Sequence, residues 1–322
     1  MILVTGGTGF IAAHVQRRLL NAGHEVIATS RYDYRPESLF VLGPNVPRLE
    51  RADPRDSDSL RPLFARYRPD TVIHLDAYVN PVALQTDPLR AVEYNVMETM
   101  NLLELSREFG CGRLVFSSSI AVLPTIQYEP IDARHPIVLP TEGSGGGFYG
   151  TSKAMSELLG LAYASAFGVD FRCVRPSAVF GFGMQWPIGI KPVIENLVEG
   201  KPAVIARHAP PRDYTPVQDV AAVVAALVDC PPETDRVVYA GTGRALVSSD
   251  ELLRTVQALF PDGDVTMGDE ALDPTGVESN YRGMLDMGPV RTQLGVRPAF
   301  DSLAAALTAY AEDYRAFLGR AG

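Results

Sequence analysis

The chain opens on a four-residue apolar run, Ile2-Leu3-Val4-Thr5, that enters Gly6-Gly7-Thr8-Gly9 and leaves as the amphipathic stretch Phe10–Asn21. A strand, a glycine-rich turn and a helix in that order constrain the fold more than any other feature. Gly6 and Gly9 permit a tight turn and a close backbone approach to a ligand. The first N–H groups of the helix, at Phe10 and Ile11, face the same point and suit a pyrophosphate. Glycine runs are common, but one placed between a strand and a helix has the context a dinucleotide site needs. The alternative is a tight turn with a purely structural purpose.

Strand-like and helical patterns alternate through the first half. Strands are predicted at Ile2–Thr5, Glu25–Thr29, Thr71–Leu75, Arg113–Ser118 and Asp170–Arg175, and helices at 10–21, 56–67, 87–109 and 150–167. This is the signature of an α/β fold, a doubly wound parallel sheet covered by helices on both faces, with ligands at the carboxyl ends of its strands. After about residue 178 Pro and Gly become frequent (Gly181, Gly183, Pro187, Gly189, Pro192), and helices are expected near 191–199, 249–259 and 300–319. Gly143–Gly147, just before Tyr149, reads either as a lid or as a plain surface loop.

With 322 residues and 46% hydrophobic content the chain can bury a large core, as one big domain or two closely joined ones. A net charge of −9 argues against nucleic acid or an anionic membrane as the main partner. The absence of membrane-length apolar runs, and a first strand that starts at residue 2, lead to a cytoplasmic expectation. Cys111, Cys173 and Cys230 are isolated in apolar surroundings and read as buried thiols. The five histidines show no ligand spacing, so no metal is expected.

The spacing Gly6-x-x-Gly9-x-x-Ala12 resembles the T-G-G-T-G-F-I-G opening of the extended short-chain dehydrogenase/reductase family, its epimerase/dehydratase branch. Ala12 stands for the third glycine, a packing position where one methyl is tolerable. The resemblance implies a Rossmann-type domain over residues 1–178, to which 215–243 return. Residues 179–214 and 244–322 then form a smaller C-terminal substrate-binding lobe. Val174-Arg175-Pro176-Ser177-Ala178-Val179-Phe180-Gly181 is similar to the family's R-P-x-x-V-Y-G and puts Pro176 beside the carboxamide. Arg212-Asp213-Tyr214 begins a stretch similar to R-D-[FY]-x-x-V-x-D-V, whose Arg meets substrate phosphate, and Leu294–Pro298 matches the closing L-G-[WF]-x-P.

The second strand ends in Ser30-Arg31, a hydroxyl and a cation of the kind that a 2′-phosphate requires, so NADP is favoured over NAD. Arg31 also reads as a solvated loop residue, with Asp33 as the ribose ligand. The resemblance places Asp53 near the adenine amino group, against a capping role, while Asp56 reads as a helix N-cap. In His74-Leu75-Asp76-Ala77, Leu75 and Ala77 would line the cofactor path. Asp76 departs from the usual H-L-A-A and puts a carboxylate near the pyrophosphate or nicotinamide ribose, to bond a ribose hydroxyl or to serve the substrate site.

Tyr149 and Lys153 stand at i and i+4 on a predicted helix, and only three of 29 basic residues are lysine, so a chance match is expected about 0.1 times in this chain. An ammonium near a phenol, helped by a cationic nicotinamide, lowers its pKa and makes it a general base. Phe116-Ser117-Ser118-Ser119 resembles the family's S-S-S, whose last hydroxyl bonds the substrate oxygen. Ser119 is the candidate and Ser118 second, against a serine-rich strand end that satisfies its own backbone. Asn95, in a match to the helical N-x-x-x-T, is expected to be structural.

Ile120-Ala121 cannot move a proton, so a sugar 4,6-dehydratase is not expected. The Tyr-Gly of galactose-type epimerases is missing after the serines, and their later R-x-G-D is not visible; the nearest cation is Arg282. The leading expectation is an NADP-preferring oxidoreductase acting on a secondary alcohol or ketone of a sugar-like small molecule. An epimerase that retains its cofactor is second, and a non-catalytic NADP-binding regulator third. Helices 87–109 and 150–167 carry apolar residues on more than one face; the resemblance implies a homodimer through a four-helix bundle made from them, and buried core helices would look the same.

Overall fold

The computed structural model describes residues 1–139, 146–186, 189–207, 210–268 and 282–321. Gly143–Gly145 of the glycine-rich loop, Pro187, His208 and residues 279–281 lie outside these. In chain order the strands are β1 (Ile2–Thr5), β2 (Val26–Ser30), β3 (Arg48–Arg51), β4 (Thr71–His74), β5 (Arg113–Ser117), β6 (Asp170–Pro176), β7 (Ala178–Phe180), β8 (Ala203–Ala206), β9 (Tyr214–Pro216), β10 (Val237–Ala240) and β11 (Val265–Gly268). The helices are α1 (Phe10–Asn21), α2 (Pro36–Leu42), α3 (Ser57–Tyr67), α4 (Pro81–Thr86), α5 (Met97–Phe109), α6 (Gly147–Phe167), α7 (Ile190–Val198), α8 (Val217–Val228), α9 (Ser249–Leu259), α10 (Gly288–Gln293) and α11 (Leu303–Ala321).

A seven-stranded all-parallel sheet in the order β10-β6-β5-β4-β1-β2-β3 forms the centre. This is a Rossmann-type doubly wound α/β fold. The strand order reverses between β1 and β4, and the crevice at such a switch point is where ligands bind. Period-2 geometry sorts β1 between two cores: Ile2 and Val4 pack with Val15, Leu19, Val220 and Val224 on one face, while Leu3 packs with Leu60, Phe64 and Leu102 on the other. Burial on both faces is why these strands read as continuous apolar runs.

Val237 to Ala240 pair with Cys173 to Pro176, so the chain returns to the main sheet after β9. A third core gathers α7, α9, α11 and the β8–β11 pair around Phe182, Ile194, Leu252 and Tyr310. A backbone ladder ties the far part of the chain to the segment that follows β5: Ile131 N–H donates to Met284 O at 2.8 Å, and Asp286 N–H donates to Ile131 O at 2.8 Å.

The helix expected over 87–109 is a π-helical turn at Ala91–Val96 that runs into α5, and the short α4 precedes it as a separate helix that the sequence did not suggest. Pro88 cannot continue a helix, which accounts for the break between α4 and the turn. Among the described residues no helix is long and apolar enough to cross a membrane. Cys111, Cys173 and Cys230 are free and buried.

Candidate active site

Gly6 adopts φ +65°, and a Cβ there would lie 2.7 Å from the backbone N of Asp76. The turn therefore needs glycine, both for its left-handed backbone and for its contact with the end of β4. Gly9 caps α1 without a side-chain bond, and the first turn of α1 carries no acidic residue. An uncapped helix N-terminus with no competing carboxylate suits an anion. Leu75 and Ala77 are half-buried just beyond β4, and Pro176 is buried at the end of β6. These features fit an elongated dinucleotide laid across the carboxyl ends of the sheet.

At the β2 end the geometry corrects the expectation for Ser30 and Arg31. Ser30 is buried, its hydroxyl 2.9 Å from Thr8 Oγ1 and accepting from Tyr32 N–H at 3.1 Å. Arg31 is no solvated loop residue. Its Nη2 lies 3.3 Å from both oxygens of Asp76, and its Nη1 lies 3.5 Å from Glu98 and 3.8 Å from Asp53. Its guanidinium stacks 4.8 Å from the Tyr94 ring centre, with Arg55 4.2 Å from the same centre. Asp53 also takes bonds from Arg55 Nε and Nη2, at 3.0 and 2.5 Å, while Asp56 caps α3 through Asp58 N–H.

Tyr149 and Lys153 stand one turn apart on α6, and Ser119 lies two residues past β5. Tyr149 is half-buried and hydrogen-bonds Ser119; burial pushes its phenol up to about 12 while that bond pulls it down. In the protein alone, desolvation of the phenolate outweighs the Ser119 hydrogen bond. One turn on, Lys153 is buried, donates to Ser117 O at 2.8 Å and lies 4.6 Å from the Phe116 ring centre. Burial brings its ammonium down to about 8, with Glu98 among the groups opposing that shift. Ser118 is buried with no hydrogen-bond partner for its hydroxyl among the described residues.

Two glycines set how closely α6 approaches, and sequence reading passed over both. A Cβ on Gly150 would lie 2.3 Å from Ala121 O, and one on Gly160 would lie 2.3 Å from the Phe171 ring. Small residues at these places let α6 settle on the turn after Ser119 and on β6. Glu157 then forms a buried bidentate pair with Arg175 at 3.0 and 2.6 Å, and Arg175 donates to Tyr239 OH at 2.9 Å. Asn95 bonds both backbone groups of Tyr78 and donates to Ser152 Oγ at 2.9 Å, a structural tie between the π-turn and α6.

Arg212 lies where its backbone pairs with Val247, and the next residue, Asp213, accepts from Thr242 N–H and Oγ just past β10. Arg282 precedes the segment laddered to Ile131. Both of its terminal nitrogens are shielded from solvent and have no hydrogen-bond partner among the described residues. Burial and the charge of Arg212 bring Arg282 down to about 10, which puts the two guanidiniums within electrostatic reach of each other. The sequence offered Arg282 only as the nearest cation; the fold makes it a neighbour of Arg212.

A model of the NAD dependent epimerase/dehydratase family matches residues 2–240. The chain belongs to that family. It is thus an enzyme of the extended short-chain dehydrogenase/reductase group. Among its epimerase/dehydratase relatives, a UDP-glucuronate 4-epimerase of Thermodesulfobacterium geofontis is 26% identical over 267 residues, 80% of each chain. A dTDP-4-dehydro-6-deoxy-D-allose reductase of a Streptomyces species is 33% identical over 190 residues, 56% of each chain. The UDP-glucose 4-epimerase of Thermus thermophilus, solved in complex with NAD, superposes with a TM-score of 0.80 at 25% identity over 98% of both chains.

Proposed function

We propose that this enzyme moves a hydride to or from a secondary alcohol or ketone carbon of a nucleoside-diphosphate sugar, with Ser119, Tyr149 and Lys153 as its working residues. The observation that carries this is the Ser119–Tyr149 hydrogen bond, with Lys153 one turn along the same helix and its ammonium on Ser117 O at the end of β5. Arg212 and Arg282, half-buried and within electrostatic reach of each other, support the substrate class, since two guanidiniums suit a diphosphate. Substrate then lies between the strand ends and the C-terminal lobe, residues 179–214 and 244–322.

A bound nicotinamide supplies the hydride acceptor or donor and, when oxidised, a positive charge beside the phenol. Tyr149 takes the hydroxyl proton as the carbon loses its hydride and returns it in the reverse sense. Ser119 orients the same oxygen. Lys153 favours the phenolate electrostatically and holds the nicotinamide ribose. Gly6, Gly9, Phe10 and Ile11 take the pyrophosphate, Asp53 the adenine end, and Leu75, Ala77 and Pro176 the walls. The buried apolar turn Ile120–Val122 has no group to run an elimination, which argues against a 4,6-dehydratase.

Loss and return of hydride at one carbon would make this an epimerase, a reading supported by the likeness to the NAD-bound Thermus epimerase. Net reduction of a 4-keto sugar is the second reading, supported by the likeness to the Streptomyces reductase. The NADP preference expected from Ser30 and Arg31 loses its ground, since both side chains are engaged inside the protein. We also propose a homodimer through the faces of the π-turn, α5 and α6, where Val92, Met97, Met155 and Leu158 are exposed.

The deciding experiment incubates the purified enzyme with UDP- and dTDP-hexoses, without and with added NADH or NADPH. Inversion of one carbinol centre by NMR without added dinucleotide identifies an epimerase. Stoichiometric loss of absorbance at the nicotinamide band with a keto sugar identifies a reductase. Neither outcome with any nucleotide sugar would overturn the substrate class.

A further inference from the structure

Two acidic residues crowd the adenosine end of the crevice, and the reaction above uses neither. Asp76 stands directly after β4 against the glycine turn, and Glu98 lies in the first turn of α5, fully buried. Both oxygens of Glu98 lack a hydrogen-bond donor among the described residues, yet one lies 3.5 Å from Arg31 Nη1. Asp76 receives both of the Nη2 contacts of Arg31, at 3.3 Å. A carboxylate taken out of water is costly unless a cation compensates it; Arg31 does so for Asp76 and lies against Glu98, whose carboxyl burial pushes up to about 9.

The other cations around the end of β2 are also engaged. Arg51 pairs with Asp33 and donates to Arg31 O at 2.7 Å, and Arg55 pairs with Asp53. A 2′-phosphate would bring about two negative charges to a place already holding Asp33, Asp53, Asp76 and Glu98. It would have to draw Arg31 away from two buried acids and leave them facing each other. A ribose diol carries no charge and can donate hydrogen bonds to carboxylates, so it meets no such conflict.

We propose that Asp76 and Glu98 set the choice of cofactor: by holding Arg31 inward they withdraw the cation that a 2′-phosphate needs and commit the site to the unphosphorylated dinucleotide. This rests on the reading of the crevice as a dinucleotide site, and deepens it by naming the residues that select. Asp76 is the dominant partner because it takes two of the contacts. Loss of its charge frees Arg31 to turn outward toward the end of β2, where the sequence alone would have put it.

The test is calorimetric titration of NADH and NADPH into the full-length protein, stripped of any copurified dinucleotide, for wild type, Asp76→Asn and Glu98→Gln. Wild type is expected to bind NADH at least tenfold more tightly. Asp76→Asn should move the NADPH-to-NADH affinity ratio toward NADPH by about tenfold or more, the scale of one charge-assisted guanidinium–phosphate contact. Glu98→Gln should move it the same way by less. Equal wild-type affinities, or a ratio unmoved in Asp76→Asn, would overturn the selector role while leaving the dinucleotide site intact. Failure of both nucleotides to bind wild type would overturn the dinucleotide reading itself. The wild-type ratio needs no variant, so a misfolded Asp76→Asn protein still leaves a decisive measurement.

Discussion

Tyr149 carries the chemistry only if its phenol can lose a proton, and the protein alone pushes the phenol the other way, up to about 12. The proton affinity must therefore be set within the assembled complex, by Lys153 and the oxidised nicotinamide acting together. Tyr149→Phe removes the acid–base oxygen and little volume. It is expected to lower kcat by at least about a hundredfold, within the range of general acid–base contributions, while dinucleotide affinity by calorimetry stays within about twofold. Retained turnover would remove Tyr149 from its role. That Tyr149 and Lys153 share one face of a helix was legible in the sequence, because helical spacing fixes it. The direction of Arg31 was not, because it depends on Asp76 and Glu98, which sit 45 and 67 positions away and meet it only once β4 and α5 are packed.

At the scale of elements, α1 does more than present an anion site. His14 is buried on it and its Nε2 lies 3.0 Å from Phe182 O, which ties the first helix to the segment after β7. Burial brings this imidazole down to about 4 from an ordinary 6.5. Between those values the unfolded chain binds a proton that the native state refuses, so stability falls as pH drops from 6.5 toward 4, by at most about 3 kcal/mol. His74, also buried and lowered, adds to the same slope. Urea unfolding from pH 7 to 4.5 should show the decline, and His14→Gln should flatten it. An identical slope in that variant would mean His14 does not titrate on unfolding. Strong periodicity made α1 and α9 readable to the residue, whereas the short α2 and α4 escaped notice because six or seven residues hold under two turns of pattern.

For the whole molecule, the sheet order follows from alternating strands and helices, but the outer surface has its own pattern. Leu158 is 62% exposed on α6 and Met155 41%, near Met97 of α5 at 45%. Single exposed apolar residues are ordinary, whereas several on adjoining helices are what the proposed dimer face requires. Leu158→Glu is expected to convert a dimer to a monomer in sedimentation at micromolar concentration, with the far-UV spectrum unchanged. A wild-type monomer would dismiss the dimer. The sequence left core helix and interface helix undivided, since both are apolar on more than one face and only the packed fold shows which residues stay outside.

The ladder between Ile131 and the 284–286 backbone joins the stretch that follows Ser119 to the stretch that follows Arg282. The amides of Ile131 and Asp286 each donate across that junction, so an opening that frees one frees the other. In hydrogen exchange the two should trade protons for deuterons at one common rate, and a diphosphate ligand held at Arg282 should slow both. Substrate grip in one lobe would then be felt as backbone rigidity beside the reacting carbon.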